Sequence, residues 1–163
     1  MTPQTLTVVM YHYVRPLART RYPAIKGLDL QCFRGQLAYI RRHYHPITAA
    51  DLVAAVRQRD GTGVWELPPS SILLTFDDGY ADHFDHVFPL LDDAGVQGSF
   101  FAPGRAVGEG LVLDVNKIHF VLASVDDKAL KSVPIPAGPV VRRRRGARLS
   151  SSPAPSPTKR RTS

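Results

Sequence analysis

Ser71-Ile-Leu-Leu-Thr-Phe-Asp-Asp-Gly-Tyr80 is the stretch from which the fold can be predicted. Its apolar residues, interrupted only by Thr75, stop at two adjacent carboxylates, and Gly79 follows. A short apolar run bounded by turn residues is typical of a strand buried on both faces, as in a parallel sheet. Parallel sheets and barrels place ligands just beyond the carboxyl ends of their strands. The stretch therefore predicts either a functional site at Asp77 and Asp78 or an Asp-Gly turn without a function.

The residues that follow predict a βαβ unit built on this strand. An amphipathic helix is expected over about residues 82–94, ending at Gly95, and a second strand over residues 96–102. Strands joined by such a short helical crossover pair in parallel. The buried side of the helix is predicted to consist of Phe84, Val87, Phe88 and Leu91.

The residues that precede the stretch predict a strand and two helices. Residues 6–14 are rich in β-branched and aromatic side chains, which favours a strand, and His12 lies near its carboxyl end. Asp29 is a suitable N-cap for a helix over residues 30–44. Thr48 and Asp51 have the spacing of a capping box at the start of a second helix. The inner side of that second helix is expected to hold Leu52, Val53 and Val56.

A loop and a last helix are expected after the second strand of the βαβ unit. Residues 103–110 predict a glycine-containing loop, and Asp114 is a candidate N-cap for the helix that follows. The inner side of this helix is predicted to consist of Ile118, Val121, Leu122 and Val125.

The composition places limits on the class of protein. An apolar content of 44% is sufficient for a buried core, and a single cysteine, Cys32, excludes an internal disulfide framework. Cys32 is expected to be a small core residue on its helix. The N-terminus has no basic region followed by a long apolar run, so no secretory signal is predicted and a cytoplasmic location is expected. No apolar run approaches the 18 to 20 residues or so of a membrane span.

The positive charge is concentrated in a C-terminal segment of different composition. Residues 132–163 hold eight of the 21 lysines and arginines and none of the 14 acidic residues, so the net charge of +7 originates there. Its serines, prolines and the Arg142–Arg145 run predict a disordered, Arg/Pro/Ser-rich tail. Four consecutive arginines could bind phosphate backbones, and a non-catalytic fragment with a nucleic-acid-binding tail is one alternative function. Because no aromatic residue follows Phe120, nucleic acid is not the expected partner.

Several motifs resemble the NodB-type polysaccharide deacetylases, which form carbohydrate esterase family 4. Thr75-Phe-Asp-Asp-Gly79 resembles the first motif of that family, and the resemblance covers about residues 6–131. The surrounding segments that resemble the family pattern are Met10-Tyr-His-Tyr-Val14, Phe88-Pro-Leu-Leu91, Gly98-Ser-Phe-Phe101 and Val112-Leu-Asp-Val-Asn-Lys-Ile-His-Phe120. The resemblance implies an α/β fold, a deacetylase-type (β/α) barrel, which would be incomplete in this chain.

The resemblance also implies a reaction and the residues that perform it. It assigns the general base to Asp77 and a ligand of a divalent metal ion, Zn²⁺ or a similar ion, to Asp78. The reaction implied is hydrolysis of N-acetyl groups on a polysaccharide or amino sugar, which releases acetate and leaves a free amine. His12 and Tyr80 are expected beside this site, as substrate contacts or neighbours of the carboxylates.

The sequence departs from the family pattern in its second half. The His-Ser/Thr-x-x-His motif that completes the family's metal site has no counterpart, nor does the strand with the general-acid histidine. A complete barrel takes roughly 200 residues or more. We therefore interpret residues 1–131 as the N-terminal portion of a deacetylase domain and residues 132–163 as a tail that fits out-of-frame translation. The expected product is a truncated form with little or no activity.

Two other site types share some of these features. A phosphotransfer receiver domain holds a divalent ion between carboxylates beside a strand, but it needs a further Asp and a Lys at later strand ends. Haloacid-dehalogenase-type phosphatases space their carboxylates two residues apart, whereas Asp77 and Asp78 are adjacent. His83 and His86 share a helix face and could bind one ion, but a solvated helix face is the expected location for both.

Overall fold

The computed structural model describes residues 5–63 and 66–132. The strands are β1 (Leu6–Tyr11), β2 (Val14–Arg15), β3 (Leu28–Asp29), β4 (His45–Pro46), β5 (Ser71–Asp77) and β6 (Ser99–Phe101). The α-helices are α1 (Leu30–His43), α2 (Ala49–Thr62), α3 (Phe88–Asp93), α4 (Gly104–Glu109), α5 (Asp114–Ser124) and α6 (Asp127–Ser132). A 3₁₀ turn (Leu17–Arg19) and one turn of π-helix (His83–Val87) complete the regular structure of these residues. The predictions for the tail fall, beyond Ser132, outside the described residues.

A parallel sheet is organised around β5. Strand β1 pairs with β5 along six residues, from Leu6 opposite Ser71 to Tyr11 opposite Phe76. Strand β4 pairs with the start of β5 and β6 with its end, also in parallel, while β2 and β3 form a separate parallel pair. The predicted α/β class and parallel sheet are confirmed. Within the described residues the sheet has four strands and is not closed, so the (β/α) barrel remains a prediction.

The central strand is buried on both faces, as its sequence predicts. Ile72, Leu74 and Phe76 belong to one core cluster, and Leu73, which points to the opposite side, belongs to a second. Alternation of side chains along a strand accounts for this division. The first cluster lies under α1, where Phe33 is completely buried and meets Tyr11 edge-on at a ring distance of 5.2 Å. Burial of one such side chain stabilises the fold by about 1.5–3 kcal/mol.

The predicted caps of the first two helices are confirmed. The Asp29 carboxylate accepts a hydrogen bond from Gln31 N at 2.9 Å at the start of α1. At the start of α2, Thr48 Oγ1 accepts from Asp51 N and the Asp51 carboxylate accepts from Thr48 N, which is a complete capping box. Each cap satisfies backbone N–H groups that have no partner inside the helix.

The expected inner side of α2 is only partly correct. Leu52 packs on the second core cluster, but the buried residue beside it is Ala55, whereas Val53 and Val56 are exposed. The helix therefore contacts the core through a narrow strip. A helix that covers so little of a core leaves some of its apolar residues in water.

The helix after β5 begins with a π turn, and this turn corrects the predicted buried side. Phe84 and Phe88 are 75% and 51% exposed, while His83, Val87 and Leu91 are buried. The buried residues recur every four positions because the π turn is wider than an α-helical turn. The prediction that His83 lies on a solvated face was therefore wrong. Gly95 ends the helix in the left-handed region at φ +63°, as expected.

Three further expectations need correction. Residues 104–109 form α4 rather than a loop, with Pro103 before the helix and Gly110 in the left-handed region after it. Cys32 is exposed, because it lies beside the buried strip of α1 rather than in it. The cap position of α5 is Leu113, and Asp114 is the first helical residue.

The apolar side of α5 also differs from the prediction. Ile118, Val121, Leu122 and Val125 are all exposed, and the buried residue of this helix is Asn116. The helix thus presents a polar side chain to the interior of the described region. Among residues 5–63 and 66–132, no helix is both long and apolar enough to cross a bilayer.

Candidate active site

The carboxyl ends of three parallel strands meet at Asp77. Asp77 is the last residue of β5, and it pairs with Phe101 of β6 on one side. On the other side β1 ends at Tyr11, which pairs with Phe76, and His12 is the next residue along the chain. Asp77 is half-buried, whereas the residues before it in β5 are buried. The sheet therefore brings His12 and Asp77 to one edge, where parallel sheets hold their ligands.

The turn after β5 has an unusual backbone. Asp78 lies in the left-handed region at φ +73° and Gly79 follows at φ +61°. A Cβ atom added at Gly79 would lie 2.8 Å from the Cβ of Ala102, just beyond β6. The Asp-Gly pair is thus a tight turn and also sets the position of two carboxylates. Left-handed backbone at a non-glycine residue costs on the order of 1–3 kcal/mol and persists only where the surroundings hold it.

Hydrogen bonds from two other residues hold the Asp78 carboxylate. The Tyr80 hydroxyl donates to Asp78 Oδ2 at 2.5 Å. Asn116 Nδ2, on α5, donates to the Tyr80 hydroxyl at 2.7 Å and lies 3.5 Å from Asp78 Oδ2. Tyr80 was expected beside the site, and it contacts Asp78 directly. Asn116 was not assigned a role from the sequence, although a buried amide on a helix of apolar residues is a signal that could have indicated one.

Tyr13 packs against Tyr80 and also contacts Asn116. Its ring is buried and stacks on Tyr80 at a ring distance of 4.2 Å. The Tyr13 hydroxyl accepts from Asn116 Nδ2 at 3.3 Å and lies 3.4 Å from His119 Nδ1. Burial first, and then the hydrogen bond to Asp78, raise the pKa of Tyr80 far above its ordinary value. The Tyr80 hydroxyl therefore keeps its proton and remains a donor to Asp78 at any physiological pH.

His83, in the π turn after β5, contacts the backbone of His12, the residue after β1. Its Nε2 lies 2.6 Å from the His12 carbonyl oxygen, and because a carbonyl only accepts, Nε2 carries the hydrogen. The imidazole is 4% exposed and lies among the rings of Phe76, Tyr80 and Phe100. This contact holds the backbone of His12 at the edge where Asp77 lies.

A partly buried ion pair also connects the π-turn segment with the residues that follow β1. Arg15 and Asp82 form a salt bridge between β2 and the start of the π turn, with side chains 12% and 20% exposed. The Arg15 guanidinium also lies 4.9 Å from the centre of the Tyr13 ring, a distance suited to a cation–π contact. The residues around the two carboxylates are therefore attached to their neighbours by packing and by charge.

The described residues do not form a complete metal site. Within residues 5–63 and 66–132, no group of three or more His, Cys, Asp or Glu side chains is close enough to hold one ion. A protein site for Zn²⁺ needs three or four such ligands. Asp78 offers a carboxylate whose Oδ2 is already hydrogen-bonded to Tyr80. These residues alone therefore do not fit the divalent ion that the family resemblance implies.

Comparison with known sequences finds a family match in the segment that contains this site. Residues 66–131 match the sequence model of the family described as polysaccharide deacetylase. The resemblance to polysaccharide deacetylases is confirmed for this part of the chain. The matched segment runs from the approach to β5 into α6, and it contains Asp77, Asp78, Tyr80 and Asn116.

A curated relative and several solved structures are similar to the chain. The putative polysaccharide deacetylase YxkH of Bacillus subtilis strain 168 is 25% identical over 109 residues, which is 65% of this chain and 34% of that protein. The chain thus spans about a third of the length of this relative. The Streptococcus pyogenes deacetylase PplD is 18% identical, with a TM-score of 0.48 over 72% of this chain and 51% of that one. IcaB from Ammonifex degensii is 28% identical, with a TM-score of 0.46 over 61% and 39% of the two chains.

Proposed function

We propose that this chain carries one half of the active site of a carbohydrate N-deacetylase. In this proposal Asp77 is the general base and Asp78 is one ligand of a divalent metal ion. The substrate is an N-acetylated polysaccharide or amino sugar. The observation that supports the proposal best is the family match over residues 66–131, because it contains both carboxylates.

The geometry of Asp77 suits a general base. It lies half-buried at the end of β5, at the edge of a parallel sheet where a substrate has access. In the proposed reaction a water molecule attacks the acetamide carbonyl while the Asp77 carboxylate takes its proton. The C–N bond then breaks, acetate leaves, and the amine nitrogen of the sugar receives a proton. In this half-site the last proton comes from solvent water, and Asp77 releases the proton that it took, so the step balances.

Asp78 is proposed as a metal ligand rather than as a base. Its carboxylate is held in a fixed orientation by Tyr80 rather than free in solvent. Because the described residues do not gather three ligands, we derive no step that passes through a metal ion. His12 is proposed as a neighbour of the substrate, since it directly follows β1, whose last residue Tyr11 pairs with Phe76, the residue before Asp77. A receiver-type phosphotransfer site would require a third carboxylate with Asp77 and Asp78, and none is grouped with them in the described residues.

The proposal predicts little or no turnover by the chain as it stands. The test measures acetate release from N-acetylated amino-sugar oligomers with added Zn²⁺ or Co²⁺, for the wild type and for Asp77→Asn. We expect both proteins to remain at the background rate, because the His-Ser/Thr-x-x-His ligands are absent from the sequence. Metal-dependent turnover that Asp77→Asn abolishes would contradict the half-site proposal, since it would require a complete site in this chain.

A further inference from the structure

Asn116 is a buried polar residue to which the family resemblance assigns no role. It is 6% exposed, whereas its helix neighbours Val115 and Ile118 are 48% and 57% exposed. Burial of an amide without hydrogen bonds costs about 1–3 kcal/mol, so a buried amide is retained where its contacts compensate. Helix α5 would lose less by burying one of its own apolar residues. The contacts of Asn116 therefore indicate what the helix contributes to the site.

Those contacts fix the orientation of the hydrogen on the Tyr80 hydroxyl. Asn116 Nδ2 lies 2.7 Å from the Tyr80 oxygen and donates to it. A tyrosine hydroxyl has a single hydrogen. Because the Tyr80 oxygen accepts a hydrogen bond from Asn116, its own hydrogen points away from Asn116. The hydrogen is then directed at Asp78 Oδ2, which lies 2.5 Å away. A donor that is itself hydrogen-bonded in this way binds its acceptor more strongly.

The acceptor at the end of this chain of hydrogen bonds is a strained residue. Asp78 has a φ of +73°, a conformation that is maintained only where surrounding contacts hold it. We propose that Asn116 is a positioning residue that fixes the orientation of the Asp78 carboxylate through the Tyr80 hydroxyl, since Asn116 Nδ2 lies 2.7 Å from that hydroxyl and 3.5 Å, the outer limit of a hydrogen bond, from Asp78 Oδ2 itself. The importance of Asp78 rests on the proposed function, but the hydrogen-bond chain can be tested without any turnover.

A purely structural role for Asn116 makes a different prediction. Asn116 also donates to the Tyr13 hydroxyl at 3.3 Å, and this second contact attaches α5 to the segment after β1. If Asn116 served only to anchor the helix, Asn116→Leu would disturb the Asp78 carboxylate no more than Tyr13→Phe does, because each change removes a contact that anchors α5. Tyr13→Phe is therefore a matched control, because it removes a hydroxyl bound to Asn116 and keeps the ring that stacks on Tyr80.

The test follows the Asp78 side-chain carboxyl carbon by ¹³C NMR in the full chain. The variants are Asn116→Leu, Tyr80→Phe, their combination, and Tyr13→Phe, with unchanged amide shifts along α1 as the criterion for a retained fold. We expect Asn116→Leu and Tyr80→Phe to shift the Asp78 signal in the same direction, and the double variant to shift it no further than Tyr80→Phe alone. Tyr13→Phe should leave the signal at its wild-type position.

Other results would overturn the inference. An unchanged Asp78 signal in Asn116→Leu, additive shifts in the double variant, or an equal shift in Tyr13→Phe would each show that Asn116 does not act through Tyr80. If Asn116→Leu does not fold, Asn116→Ala replaces it, and loss of the fold there too would mean that Asn116 anchors α5 instead. Acetate release and the Asp78 signal are independent measurements, so the proposed function and the hydrogen-bond chain fail separately.

Discussion

Substitution of Gly79 by alanine should be among the most destabilising single-methyl changes in the described residues. Gly79 has a φ of +61°, and an added Cβ would lie 2.8 Å from the Cβ of Ala102 and 3.2 Å from its Cα. Left-handed backbone at a residue with a Cβ costs roughly 1–2 kcal/mol. Insertion of a methyl group into an occupied space costs about 1–3 kcal/mol more. We expect Gly79→Ala to lower the free energy of unfolding by about 2–5 kcal/mol.

Two other glycines separate the two contributions to that estimate, and a third is a control with neither. Gly95 has a φ of +63° and open space around it, so Gly95→Ala tests the backbone cost alone. Gly98 has no such backbone, but a Cβ there would lie 2.7 Å from a ring carbon of Phe76, so Gly98→Ala tests the steric cost alone. Gly61 lies in α2 with nothing near its Cβ position, and alanine there should stabilise by roughly 0.5–1 kcal/mol.

Urea unfolding followed by circular dichroism measures all four variants. With a slope of about 1–3 kcal/mol per molar urea, a loss of about 3 kcal/mol lowers the midpoint by roughly 1–3 M. The expected order of stability is Gly61→Ala above wild type, then Gly95→Ala and Gly98→Ala, and Gly79→Ala lowest. If Gly79→Ala unfolds at the same urea concentration as Gly95→Ala, the close approach of Ala102 to the Asp78–Gly79 turn is refuted.

Two further predictions concern His83 and the cap of α2. His83→Leu fills the buried position with an apolar group but leaves the His12 carbonyl without its donor, so it should lower the free energy of unfolding in urea by about 1–3 kcal/mol. His86→Leu, at a half-buried position without that contact, should lower it by less. Equal losses in the two variants would refute the role of the His83 contact. Hydrogen bonds with Thr48 lower the pKa of Asp51, so its contribution to stability is present above the pKa of the unfolded chain and is lost as pH falls through the folded value. Unfolding measured between neutral and acidic pH should therefore show a smaller acid loss in Asp51→Asn than in the wild type, and identical pH profiles would contradict the capping box.

Features that depend on neighbouring residues alone could be predicted from the sequence. The caps at Asp29 and Thr48 were confirmed because a cap needs only a suitable side chain and free backbone N–H groups within three residues. Gly95 was confirmed for a similar reason, since the end of a helix favours a residue that adopts positive φ. The burial of β5 on both faces followed from a run too apolar to have one face in water.

Features that depend on distant contacts could not be predicted. A single π turn changed the residues that face the core, so Phe84 and Phe88 are exposed and His83 is buried. Periodicity assumes regular α-helical turns, and nothing local in the sequence indicated the wider turn. Asn116 was missed because its partners Tyr13 and Tyr80 are 103 and 36 residues away.

The position of Asp77 at the end of β5 could be predicted, because it depends only on where the apolar run stops. The sheet order could not be predicted, and it is this order that sets the end of β1 beside Phe76 and Phe101 of β6 opposite Asp77. The orientation of Asp78 depends instead on its left-handed backbone and on Tyr80. The chemistry proposed for Asp77 and Asp78 depends on the site itself rather than on the fold, and acetate release tests it.

The most direct test of the proposed half-site is to add the missing second half of the active site from a relative. A chimera would join residues 5–132 to the part of the Bacillus subtilis relative that follows the matched region, and acetate release from N-acetylated amino-sugar oligomers would be measured with Zn²⁺. We predict that the chimera releases acetate, that Asp77→Asn lowers the rate by about 100-fold or more, and that Asp85→Asn, at an exposed carboxylate of the π turn, does not. An active chimera in which Asp77→Asn retains the full rate would contradict the account.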